Sequence, residues 1–133
     1  HLSIALGVEA CKRGYEVRFF RTSALVNRLS EEKKAGTLSG FLKKLNKADL
    51  LICDEWGYVP LDRIGAQLLF EVISERYENK PVIINTNIEF SRWVNVFYDE
   101  QMTGAIIDRI LHHCHLLLFF SQSNRMREAR LNT

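Results

Sequence analysis

Leu50-Leu51-Ile52-Cys53-Asp54-Glu55-Trp56-Gly57-Tyr58-Val59-Pro60 joins an apolar run to a pair of acids and a turn. Four consecutive apolar residues without alternation predict a strand buried on both faces, as in a parallel sheet covered by helices on each side. Ligands of open parallel sheets bind in the crevice beyond the carboxyl ends of the strands, so such a strand delivers Asp54 and Glu55 to the edge where chemistry is usually placed. Neighbouring residues leaving a strand point to opposite sides, which lets one acid help to hold a divalent cation while the other orients or deprotonates a water. Nucleotide hydrolysis uses that division of labour, because phosphoryl transfer depends mainly on positioning and charge neutralisation. For an isolated Asp-Glu pair a solvated loop opening is the commoner reading, and only the surroundings reverse it.

Working outward, a second strand of the same kind follows. Pro81 opens Val82-Ile83-Ile84, which ends in Asn85-Thr86-Asn87, so polar groups again stand at a carboxyl tip. Between the two, Asp62 is placed to cap a helix whose apolar set Ile64, Leu68, Leu69, Val72, Ile73 and Tyr77 recurs at helical spacing. Upstream, residues 1–12 read as a helix with Leu2, Ala5, Leu6, Val8 and Ala10 as its apolar positions and Gly14 as its stop. Val17 to Phe20 is a short strand, and Thr22-Ser23 are placed to cap a helix running to Lys34 that Gly36 breaks. Leu38 to Lys47 forms a further helix with Phe41, Leu42 and Leu45 on one face. Beyond the second strand, 90–98 is irregular or short helical. Asp99 is placed to cap a helix over 100–112 with Met102, Ile106, Ile107, Ile110 and Leu111 inward, and a last strand spans 115–120. The repeated order of strand, polar tip and helix is doubly wound α/β.

The chain has 133 residues, formal charge +2, 47% hydrophobic and 26% charged residues. These values fit one globular domain, and no apolar run approaches the roughly 18 residues of a membrane span. The charge is too small to require a nucleic-acid partner but allows a local basic face. Cys11, Cys53 and Cys114 make an odd number in apolar surroundings, which predicts reduced, buried thiols and a cytoplasmic setting.

Taken together, these blocks resemble one family. The run from Leu51 to Leu61, then Gly65-Ala66-Gln67-Leu68-Leu69-Phe70, Asn85-Thr86-Asn87, Asp108-Arg109 and His112-His113-Cys114-His115 are similar to the IstB-type transposition helper ATPases. These are AAA+ proteins similar to the DnaC-type replicative helicase loaders. The resemblance runs from His1 to about Arg127. It implies an AAA+ P-loop fold with ATP and Mg2+ as cofactors, Asp54 as the Walker B residue that helps to hold magnesium, and Glu55 as the acid that activates water. It also implies Asn87, with Asn85 beside it, as the sensor of the terminal phosphate, and Arg109 as an arginine finger reaching a neighbouring subunit. Arg125 or Arg127 is the candidate for a second phosphate-sensing arginine. The implied partners are double-stranded DNA, further copies of the chain in a homo-oligomer, and a transposase or a replicative helicase.

The family's phosphate-binding loop, G-x-x-x-x-G-K-[ST], does not occur in this sequence. Gly36 and Gly40 are one residue too close and are followed by Phe41-Leu42. In the family the loop lies just before the position of His1, so the chain reads as truncated. The strand preceding the loop is central in the family, with order 5-1-4-3-2. A chain opening at His1 is therefore expected to leave a gap beside Val82 and, alone, to bind ATP weakly or not at all.

Lys43, Lys44 and Lys47, with Arg28, Lys33 and Lys34, lie in the region that contacts DNA in the initiator and loader group. A solvated helix face beside Glu31 and Glu32 accounts for them equally well. The run His112-His113-Cys114-His115 has poor spacing for zinc and no second ligand pair. Trp56, Trp93 and Phe97 suit either exposed contacts or lids over the core. Besides the ATPase, a non-catalytic remnant that contacts DNA or a partner protein stays open, as does a metal-dependent nuclease built on Asp54 and Glu55.

Overall fold

The computed structural model describes residues 2–77 and 79–112. In chain order these form α1 (Leu2–Lys12), β1 (Val17–Arg21), α2 (Thr22–Ala35), α3 (Leu38–Lys47), β2 (Leu50–Asp54), α4 (Arg63–Arg76), β3 (Val82–Ile84), a 3-10 helix (Phe90–Asn95) and α5 (Glu100–His112). The three strands make a parallel sheet in the order β1-β2-β3. Arg21 stands opposite Asp54, and Cys53 opposite Ile84, so the strands end level at their carboxyl edge. The strand expected over 115–120 and the gap expected beside Val82 lie outside the described residues.

Strand alternation sorts the side chains onto two faces. Leu51 and Cys53 point into the main core, with Phe20, Val82 and Ile84 packed beside them. There they meet Leu25 and Leu29 of α2, Leu69 and Val72 of α4, and Ile106 of α5, all fully buried. Burial pushes the Cys53 thiol up to about 12, against the pull of the nearby Arg76 charge. The helices pack closely enough that a Cβ at Gly65 would come within 2.8 Å of Val26 Cγ1, so this α2–α4 crossing requires glycine.

Ile52 points to the opposite face, where α1 lies against β2 with Gly7 over the Ile52 side chain. Here the sequence expectation fails. The residues α1 buries are Ser3 and Gly7, while Leu2, Leu6 and Val8 stand 43%, 45% and 49% exposed. Close approach to the sheet selects the small residues of the helix, and the large ones are turned away. Two further apolar positions are also misassigned, since Ile64 and Leu111 are exposed. Cys11 is exposed rather than buried, and Cys114 lies outside the described residues.

Two predicted caps form. Asp62 Oδ1 accepts from the Gly65 N–H at 2.6 Å, and Asp99 Oδ1 from the Met102 N–H at 2.6 Å. The predicted Thr22-Ser23 cap does not: Arg21 occupies the N-cap position of α2 without a side-chain bond. The Thr22 hydroxyl instead donates to the Asp54 carbonyl at 2.8 Å, because the strand-to-helix corner brings it beside the end of β2.

Trp56, Trp93 and Phe97 are buried together. The Trp56 ring centroid lies 5.5 Å from that of Trp93 and 5.2 Å from that of Phe97, tilted contacts that add about 0.5–1.5 kcal/mol per pair beyond area burial. They are lids over the core, and they anchor the loop after β2 to the 3-10 helix. No described helix is long and apolar enough to cross a membrane.

Candidate functional site

At the carboxyl edge of the sheet one acid and one amide meet, Asp54 and Asn85. Asp54 ends β2 and Asn85 follows β3, and the Asn85 amide Nδ2 donates to Asp54 Oδ1 at 2.8 Å. The backbone continues the pairing past the strands, with the Asn85 N–H donating to the Cys53 carbonyl at 2.9 Å and the Trp56 N–H to the Asn85 carbonyl at 3.0 Å. Register produces this contact, since Cys53 and Ile84 are partners and the next residue on each strand is the acid and the amide. Both acids are half-buried, and both asparagines are exposed.

Glu55 departs from the alternation expected of a strand. Its φ is 52°, in the left-handed region, so the chain turns at this residue and its side-chain direction is set by the turn rather than by pleating. The turn is closed by the Tyr58 N–H, which donates to the Glu55 carbonyl at 3.2 Å. Thr86, between the two asparagines, donates from its hydroxyl to the Trp56 carbonyl at 2.5 Å and accepts from the Ile88 N–H at 3.1 Å. Beyond it, Asn87, Ile88, Glu89 and Arg92 line a shallow concavity of about 320 Å³.

The remaining candidates stand elsewhere. Arg109 on α5 is half-buried. Its guanidinium lies 4.8 Å over the Phe70 ring of α4, and its Nη1 donates to the Ala105 carbonyl at 3.4 Å. Lys43, Lys44 and Lys47 are all exposed on α3. Arg28 is committed to packing rather than free: it pairs with Glu32 at 2.9 Å and lies 4.9 Å over the Phe41 ring. Hydrogen bonds from Thr37 and then Arg28 hold the Glu32 carboxyl below its usual range. Arg125, Arg127 and the residues after His112 in the histidine run lie outside the described residues. Among the described residues no group of three or more His, Cys, Asp or Glu is placed to hold a metal ion.

Sequence reasoning missed three side chains that tie distant backbone together. Thr22 and Thr86 bond the backbone on either side of Glu55, and both stood in view as hydroxyls at strand tips. Arg76 is 2% exposed and ties three carbonyls together: Nη1 meets that of Leu45 at 3.1 Å, and Nη2 those of Ala48 at 3.1 Å and Pro81 at 2.9 Å. Burial lowers its pKa, opposed by Cys53 and Asp49. No helical pattern announces an inward arginine, because its acceptors are backbone groups on other elements.

A parallel sheet with helices on both faces and polar groups at the strand tips is a doubly wound α/β arrangement. The fold matches the DnaC helicase loader with a TM-score of 0.73 at 22% identity, over 88% of this chain and 69% of that one. It matches replication initiator DnaA, in a structure bound to AMPPCP and single-stranded DNA, with a TM-score of 0.65 at 22% identity, over 76% of this chain and 31% of that one. The chain belongs to the IstB-like ATP binding protein family, which matches residues 1–132. It is 40% identical over 131 residues to a Geobacillus stearothermophilus protein of insertion sequence IS5376 named for ATP binding, covering 98% of this chain and 52% of that protein. A similarly named protein of insertion sequence IS21 from Pseudomonas aeruginosa is 38% identical over 130 residues, covering 98% of this chain and 49% of that one. The chain thus spans about half the length of the curated relatives it matches.

Proposed function

We propose that this chain is the hydrolytic core of an ATP-dependent helper protein for insertion-sequence transposition, one that assembles as an oligomer on double-stranded DNA and recruits or regulates a transposase. The observation that carries the reading is the 2.8 Å hydrogen bond from Asn85 Nδ2 to Asp54 Oδ1. It joins the acid of one strand to the amide of the next at a single rim, and Glu55 and Asn87 follow them in the chain by one and two residues. Membership of the ATP-binding family supports the same reading.

The donor set fits Mg2+, a hard cation that binds through one or two carboxylates and keeps several waters. When bound, magnesium would neutralise the charge that develops on the phosphates. Asp54 would help to hold it, since a carboxylate has more acceptor sites than the one Asn85 fills. Asn85 thus orients the carboxylate. Glu55 takes a proton from the attacking water as the water oxygen bonds to the terminal phosphorus; the bridging P–O bond breaks and its electron pair leaves with ADP. Asn87 hydrogen-bonds the terminal phosphate or the water, and an amide does this without adding charge beside a polyanion. Arg109 serves the nucleotide of a neighbouring copy, from a helix that packs on α4 and the 3-10 helix. Lys43, Lys44 and Lys47 offer phosphate contacts to DNA that are largely independent of sequence.

In the full-length protein, Glu55→Gln is expected to lower ATP hydrolysis by about 10²–10⁴-fold, to a slow but measurable rate, while ATP binding persists, so that an ATP-bound oligomer accumulates in sizing experiments. Hydrolysis at the wild-type rate in that variant removes Glu55 from the mechanism. The likeness in fold to the DnaC helicase loader favours a second reading, in which the partner is a replicative helicase. Stimulation of strand transfer by a transposase, against loading of a helicase onto DNA, separates the two.

A further inference from the structure

Glu55 is a charged, Cβ-bearing residue held at φ 52°, a conformation that persists only where its surroundings over-determine it. Two peptide planes meet at its Cα, and each is fixed by a bond from another element. The plane joining Asp54 to Glu55 is held by the Thr22 hydroxyl on the Asp54 carbonyl at 2.8 Å. The plane joining Glu55 to Trp56 is held by the Asn85 carbonyl at 3.0 Å from the Trp56 N–H. One peptide further on, the Thr86 hydroxyl holds the Trp56 carbonyl at 2.5 Å.

We propose that Thr22 and Thr86 are positioning residues that lock Glu55 in the left-handed conformation from which its carboxylate works, an inference that rests on the reading of Glu55 as the water-activating acid. Thr22 is 4% exposed and occupies the first turn of α2, yet its hydroxyl is spent on the end of β2 rather than on a helix N–H. Thr86 both donates, to Trp56, and accepts, from Ile88. One hydroxyl thereby couples the acid-bearing loop to the loop carrying Asn85 and Asn87, and acid and amides hold a common frame. The sheet does not need either bond to pair, because the ladder ends with Arg21 opposite Asp54 and with Cys53 opposite Ile84.

The test is steady-state ATP hydrolysis by the full-length protein carrying Thr22→Val or Thr86→Val, which keep shape and remove the hydroxyl. Both are expected to lower kcat about tenfold with KM for ATP within about twofold of wild type, the scale on which a small misplacement of a catalytic group acts. Thr22→Ser and Thr86→Ser restore the hydroxyl and are expected to restore kcat. In a Glu55→Gln background the valine substitutions are expected to cause no further loss. Folded valine variants that turn over at the wild-type rate overturn the inference, as does an equal fractional loss with and without the Glu55 carboxylate. Should Thr86→Val fail to fold, the Thr22 pair decides the matter alone. Glu55→Gln hydrolysing normally sinks the function reading and this inference with it, whereas a strongly slowed Glu55→Gln beside fully active valine variants sinks only the inference.

Discussion

At the scale of single residues, Glu55 joins the chemical role proposed for it to an unfavourable backbone. Left-handed φ costs a residue with a Cβ roughly 1–2 kcal/mol, and glycine escapes that cost. Urea denaturation is therefore expected to find Glu55→Gly more stable than Glu55→Ala by about 1 kcal/mol, since both remove the carboxylate and only glycine relieves the backbone. Equal stabilities would mean that φ at this position relaxes in solution. That Asp54 and Asn85 meet was legible because each stands at the end of an apolar strand, and strand tips of a parallel sheet share one edge. The acceptors of Thr22 and Thr86 were not legible. They are carbonyls about thirty residues distant in the chain, and a backbone carbonyl has no signature in a sequence.

Among the elements, boundaries followed local chemistry closely. Leu38–Lys47 and Val82–Ile84 match the bounds that glycine and Pro81 lead one to expect, and α5 begins at Glu100, just after its Asp99 cap. The faces followed less well, because periodicity finds a stripe but not the distance at which it packs. Helix α1 presents Ser3 and Gly7 to the sheet because its axis runs close to β2, and no moment calculated along its own sequence would choose them. Arg76 shows the same dependence between elements. It draws together the end of α3 and the entries to β2 and β3 through carbonyls of Leu45, Ala48 and Pro81. Replacing it with Met leaves those acceptors without a charged donor, and a loss of about 3 kcal/mol is expected in urea denaturation. Arg76→Lys is expected to recover only part, since a compact ammonium lacks the planar fork that spans separate carbonyls. Full recovery by lysine would reduce the role of Arg76 to its charge.

For the whole molecule, a net charge of only +2 is less informative than where the charge stands. Lys43, Lys44 and Lys47 share the exposed part of α3, while Arg28, also exposed, is engaged in an ion pair with Glu32 and a ring contact with Phe41. Reversing the three lysines to Glu in the full-length protein is expected to weaken DNA binding and to make the log–log salt dependence shallower by about 3, one counterion per lost phosphate contact. Unchanged affinity and slope would leave these lysines a solvated helix face. The sequence by itself determined the parallel α/β class, the positions of most elements and the identity of the acids and amides at the strand tips. Those follow from hydrophobic runs, caps and breakers that act over a few residues. Tertiary structure alone decided which face of α1 meets the sheet, that Glu55 turns into the left-handed region, and that Thr22, Thr86 and Arg76 bind distant backbone. Each of these depends on how closely separate elements approach, and that distance is a property of the packed core rather than of any stretch of chain.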